Sequence, residues 1–148
     1  MSNNGSQVYL DGLSSVTGTR GARDPEPGYV RIEGGKHFRY VYNAGNSDVP
    51  PGYAMCVLAP SSTGYSATIS TAAGTPVLGV VVHSTLTTST YGYVCFKGLC
   101  KVNVGATAAT NIVLQIGANG AYATAVTFSG DAIVNSTITG TGNAHIYA

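Results

Sequence analysis

The residue types in this chain that could carry catalysis or hold a metal are few: three histidines, three cysteines and six carboxylates. His37, His83 and His145 lie far apart, and none has an acidic neighbour at a motif spacing, so no acid–base pair is predicted from them. A zinc site draws on Cys and His clustered at short intervals. Cys95 and Cys100 have four residues between them and no comparable pair elsewhere, so no metal is expected. There is no G-x-S-x-G elbow for a serine nucleophile. Gly34-Gly35-Lys36-His37 lacks both the earlier glycine and the closing hydroxyl residue of a phosphate loop. Paired carboxylates are hard to assemble when Asp131 is the only acid after Asp48; Glu26, Glu33 and Asp48 are the acids an enzyme could still use. The expectation is a protein without catalytic residues or cofactor. A pocket joining Asp131 to a histidine would reopen the case for a small hydrolase.

The charge that chemistry lacks is also missing from the surface. Ten of the 13 charged residues fall in the first 48 positions, leaving Lys97, Lys101 and Asp131 to serve residues 49–148. Only 9% of the chain is charged, against roughly a quarter in an ordinary soluble domain. Gly, Ala, Ser, Thr, Val and Asn take the place of charge, which suits a domain packed against other copies or partners. The net charge of +1 gives no overall attraction to nucleic acid or an anionic membrane, and neither is expected as a partner. Arg20, Arg23, Arg31, Lys36 and Arg39 are interleaved with Asp24, Glu26 and Glu33, a mixed segment that reads as solvated and able to dock on an acidic protein surface.

The longest unbroken apolar run, residues 53–59, falls far short of the roughly 20 residues of a membrane-crossing helix. Met1-Ser2-Asn3-Asn4-Gly5-Ser6 carries no basic region or apolar stretch, so no secretion signal is expected. Asn135-Ser136-Thr137 then matches a glycosylation sequon by chance. Three cysteines make no even framework, and reduced, buried thiols are the expectation.

The elements that would position these residues are strands. Residues 1–28 mix Gly, Ser, Thr and charge around one apolar patch, Val8-Tyr9-Leu10, and read as an extended N-terminal arm ordered on contact. From Tyr29 onward a single β-rich domain, 29–148, is predicted. Tyr29-Val30-Arg31-Ile32 leads through Gly34-Gly35 into residues 37–42, with Phe38, Tyr40 and Tyr42 on one face. Further strands are predicted at 53–58, at 77–83 through the core, at 91–96 and at 99–104. Lys97-Gly98 between the last two is either a tight hairpin or a glycine bulge in one long strand, the bulge being favoured. Gly117-Ala118-Asn119-Gly120 between 112–116 and 121–126 is a hairpin signal, and strands at 132–139 and 144–147 close the chain. No long window has helical periodicity, although 106–111 could supply a single turn. The fold class is therefore all-β, a small β-barrel or β-sandwich, with a β-tulip-like form also open to it.

Ten tyrosines invite a sugar-stacking role for Tyr91 and Tyr93 or for Phe38, Tyr40 and Tyr42. Tryptophan is absent, and aromatics at alternate strand positions fill a core or an oligomer interface more readily.

Gly35-Lys36-His37-Phe38-Arg39-Tyr40-Val41, the turns at Ala44-Gly45 and Pro51-Gly52, Val77-Leu78-Gly79-Val80-Val81, the run Tyr91-Gly92-Tyr93-Val94-Cys95-Phe96-Lys97-Gly98 and the late Gly117-x-x-Gly120 turn together resemble the capsid decoration, or cement, proteins of tailed bacteriophages. The likeness spans residues 34–126; the stretches 60–76 and 129–148 depart from it. It implies a virion protein on the outer surface of an icosahedral capsid, binding a major capsid protein of the HK97-type fold as a homo-oligomer, with a trimer favoured. The arm, with Val8, Tyr9, Leu10, Arg20, Arg23 and Arg31 in or beside it, would lie across neighbouring capsomers and could add a strand to an exposed sheet edge. The competing expectation is a phage fibre-tip or adhesin module binding a host glycan.

Overall fold

Period-two alternation, turn residues every eight to twelve positions and many β-branched side chains give a chain of strands, and no α-helix occurs among the described residues. The computed structural model describes residues 25–58, 65–69, 77–105, 113–116, 120–124, 132–134 and 139–147. The strands are β1 (Val30–Glu33), β2 (Lys36–Asn43), β3 (Ala54–Val57), β4 (Ser66–Ile69), β5 (Val77–Val81), β6 (Tyr91–Asn103), β7 (Val113–Ile116), β8 (Tyr122–Thr124), β9 (Ala132–Val134) and β10 (Thr141–Tyr147). They belong to one mixed sheet in the order β1-β2-β4-β3-β5-β6-β10-β9-β7-β8.

A further pairing, β2 with β6, brings that order back on itself. β2 pairs with β4 in parallel, and β4–β3, β3–β5, β5–β6 and β6–β2 are antiparallel, so five strands form a continuous cycle of hydrogen-bonded neighbours. Val41, Met55, Ala67, Leu78, Val81 and Val94 come from all five of these strands and, with Val49 and Leu86, make one buried cluster. The side chains that alternate with them face the other way. Phe38, Tyr40, Ala54, Val80, Tyr93 and Cys95 meet Cys100, Val102, Leu114, Tyr122, Ala132, Val134, Ala144 and Ile146 in a second, larger cluster. The sequence from β6 through β10, β9, β7 and β8 is thus an outer half of the sheet laid against the cycle.

β6 joins the two halves. Its register runs with β2 at one end and with β10 at the other, so it is one long strand, as the favoured reading of Lys97-Gly98 expects. The irregularity falls beside the glycine: His37 pairs with Lys97 and Phe38 with Cys95, which leaves Phe96 as the extra residue of a bulge. The bend is sharp. The Cα atoms of Cys95 and Cys100 are 7.2 Å apart, where five residues of extended strand would cover about 16 Å. Gly98, at φ 116°, occupies that corner with room for a Cβ only 3.1 Å from the Cα of Lys36.

β4 lies within the stretch 60–76, where the sequence predicts no strand. The β7–β8 pairing appears as predicted, with Ile116 opposite Tyr122 and Gly120 at φ 75° in the connection. The proposed turn at 106–111, Asp131 and the sequon at 135–137 lie outside the described residues.

Candidate interaction surface

The outer half has two unlike faces. In β10 the burial alternates cleanly: Ala144 and Ile146 point into the core, while Thr141, Asn143, His145 and Tyr147 are exposed. β9 presents Ile133, and the second limb of β6 presents Lys97, Leu99 and Lys101. Register aligns these side chains into rows. Tyr147 lies opposite Lys97, His145 stands between Leu99 and Ile133, and Asn143 lies opposite Lys101. Leu99, Ile133 and Tyr147 are each about two-fifths exposed, at 38%, 40% and 43%. None of these three strands contains an acidic residue. The result is a sheet face with an apolar centre, two ammonium groups and, among the described residues, no compensating carboxylate. Its signal in the sequence is the alternation of 97–101 and 141–147, which marks strands but does not reveal that they lie side by side.

The aromatic faces predicted from β2 and β6 do come together. Tyr40 stacks on Tyr91 at 5.7 Å and tilts against Tyr93 at 5.1 Å, and Tyr42 meets Tyr91 at 4.7 Å. Phe38, Tyr40 and Tyr93 are buried in the larger cluster, whereas Tyr42 and Tyr91 at its margin are half-buried. Three of the five are thus core side chains. On the opposite face of β2 the guanidinium of Arg39 lies 4.5 Å from the centroid of the Phe96 ring and 5.5 Å from that of Tyr65.

Arg31, expected in or beside the arm, is placed on β1 with 1% of its side chain exposed and an ion pair to Glu33 at 2.9 Å. The carboxylate that compensates this buried charge comes from the same strand. Val8, Tyr9, Leu10, Arg20 and Arg23 lie outside the described residues.

Glu33, Gly34, Lys36, Phe38 and His83 line an open cavity of about 260 Å³. Its one carboxylate is the group already bound to Arg31. Among the described residues no group of three or more His, Cys, Asp or Glu side chains is arranged to hold a metal.

The cysteines require a correction. Cys95 and Cys100 are paired as disulfide partners, and only Cys56 is a free, buried thiol. An odd separation of five would put them on opposite faces of a regular strand. The bulge at Phe96 shifts the alternation by one, so both enter the same cluster, and the bend closes the distance.

No protein-family model matches this sequence, and no curated protein matches it.

Proposed function

We propose that this chain is a virion structural protein that binds the exterior of an icosahedral phage capsid and stabilises the mature shell. The observation that carries the reading is the outer sheet face of Lys97, Leu99, Lys101, Ile133, His145 and Tyr147. It stands on a chain with three charged residues in its last hundred positions. An apolar centre with flanking ammonium groups and no acid among the described residues suits a partner that is itself acidic and partly apolar. A virion coat supplies such partners in regular array, and many weak contacts to adjacent subunits add through effective concentration.

In this reading the five-strand cycle is a small β-barrel, the domain forms a homotrimer, and residues 1–28 reach across a major capsid protein of the HK97-type fold. The protein acts by binding, with no turnover, no cofactor and no contact with nucleic acid or membrane. The test is co-sedimentation of purified protein with mature, protein-stripped capsids, with unexpanded precursor shells as control. Saturable binding to the mature shell, at a copy number divisible by three per local site, is the expected outcome. Absence of binding to both shells removes the reading.

A further inference from the structure

We infer that Cys95 and Cys100 form an oxidative modification site, a dithiol that closes reversibly into a disulfide and locks the corner between the two halves of the sheet. Four observations carry this. The two sulfurs are paired on one strand, with four residues between them. The contact spans the bend of β6, the one strand shared by the cycle and the outer half. Their Cα separation in this pairing, 7.2 Å, is close to the span of about 4.4–6.8 Å that a bridge usually takes, so the bridge holds the two ends of the bend together. Finally, the residue opposite Cys95 is Phe38, which lines the open cavity together with Lys36.

The chemistry is thiol–disulfide exchange with a low-molecular-weight disulfide such as oxidised glutathione. In the reduced pair Cys95 accepts from the Cys100 S–H, which holds that thiol below its ordinary range against the opposing effect of burial, and the Lys36 ammonium adds in the same direction as Cys100. Cys100, donating to Cys95 and buried, is pushed up. Cys95 is therefore the attacking sulfur. Its thiolate attacks one sulfur of the small disulfide and releases one small thiol. Cys100 then gives up its proton and attacks the Cys95 sulfur, displacing the second. Two protons and two electrons leave in the two reduced small thiols. Cys56 takes no part, since its thiol is turned to the Thr68 carbonyl at 3.7 Å.

The timing of closure rests on the virion reading. A capsid protein is made in a reducing cytosol and leaves by lysis into an oxidising medium, so the corner is open during assembly and locked in the released particle.

The experiment uses full-length protein purified in dithiothreitol, then incubated with oxidised glutathione and denatured in N-ethylmaleimide. Intact mass and peptide mapping are expected to show three maleimides before oxidation and one, on Cys56, afterwards, with the Cys95 and Cys100 peptides joined. The melting temperature should rise by about 5 °C and fall back when dithiothreitol is restored. Cys56→Ser should behave as the wild type, while Cys95→Ser should lose both the bridge and the shift. Three maleimides after oxidation, a bridge through Cys56, or a Cys95–Cys100 bridge without a melting shift each overturn the proposal; the wild-type thiol count decides even where a variant misfolds. The same trapping inside infected cells and on released particles tests the timing, and equal bridging in both removes it. Failure to bind capsids would remove the virion reading and leave the thiol result standing.

Discussion

The side-chain amide of Asn43 donates to the carbonyl of Leu86 at 3.0 Å, across 43 positions of chain. The same amide donates to the Ser47 carbonyl at 3.1 Å, and its oxygen accepts from the Gly45 N–H at 3.1 Å, with no part of the residue exposed. One polar side chain thus ties the end of β2, the turn that follows it and the segment before β6. Replacing Asn43 with Ala removes three hydrogen bonds and leaves the buried Gly45 N–H without its acceptor, while the Leu86 carbonyl keeps the Val49 N–H at 3.0 Å, so a loss of about 1–3 kcal/mol is expected. Urea unfolding should show a lower midpoint at an unchanged slope. A midpoint equal to the wild type's would mean that water satisfies those groups.

Gly120 anchors the turn between β7 and β8 onto the cycle. A Cβ there would come 2.6 Å from the Cγ1 of Ile69 and 3.0 Å from the carbonyl oxygen of Ala54, at a φ of 75°. Gly120→Val is expected to cost more than about 2 kcal/mol, through both the backbone conformation and the clash. An unchanged melting temperature would show that this connection is not fixed to β3 and β4.

Tyr40 and Tyr42 share a face of β2, yet only Tyr40 is fully enclosed. Tyr40→Ala should destabilise by about 3–5 kcal/mol and Tyr42→Ala by about 1–2 kcal/mol, as judged by denaturant titration. Equal losses would mean that Tyr42 is covered in solution, as an oligomer interface would cover it.

These cases mark how far the sequence could be read. Alternation at 37–42 identifies Phe38, Tyr40 and Tyr42 as one face, because side-chain direction in a strand is a local property. Asn-Gly at 119–120 likewise places a turn. The β2–β4 parallel pairing, in which Tyr42 lies opposite Ser66, is not local. Nothing in Ser66-Ala67-Thr68-Ile69 announces a partner that lies a connection away, and its surroundings of Gly, Ser and Thr resemble loop. The cysteine pair was missed for a related reason. Face assignment by counting fails across a bulge, and the extra residue at Phe96 is visible only in the register with β2. Arg31 is expected both in the strand at 29–32 and in or beside the arm; the strand is where it lies, and the burial of its side chain beside Glu33 is not visible in the sequence.

Reversing Lys97 and Lys101 together to Glu should weaken capsid attachment by tenfold or more and abolish its decline with added salt, since both ammonium groups lie on the exposed outer face. Stability should change by less than about 0.5 kcal/mol, because neither residue is buried. Attachment that survives the double reversal would place the contact elsewhere on the protein.

Deletion of residues 1–24 is expected to leave the thermal transition within a few degrees of the wild type's while removing attachment, because residues 26–29 are tied to the sheet by hydrogen bonds of their own. Gly28 donates its N–H to the Tyr40 carbonyl at 2.7 Å, and Tyr29 to that of Glu26 at 3.0 Å. A truncated protein that still binds shells saturably would take the arm out of the mechanism.

The long bent strand gives the protein a mechanical character. β6 is laddered to β2 along one limb and to β10 along the other, so a pull on the outer half travels through the backbone of a single strand into the cycle. Both ladders then resist as parallel rows of bonds sharing the load, rather than opening one after another as a zipper does. A coat that swells from within would strain such a link lengthwise, the direction in which a strand yields least.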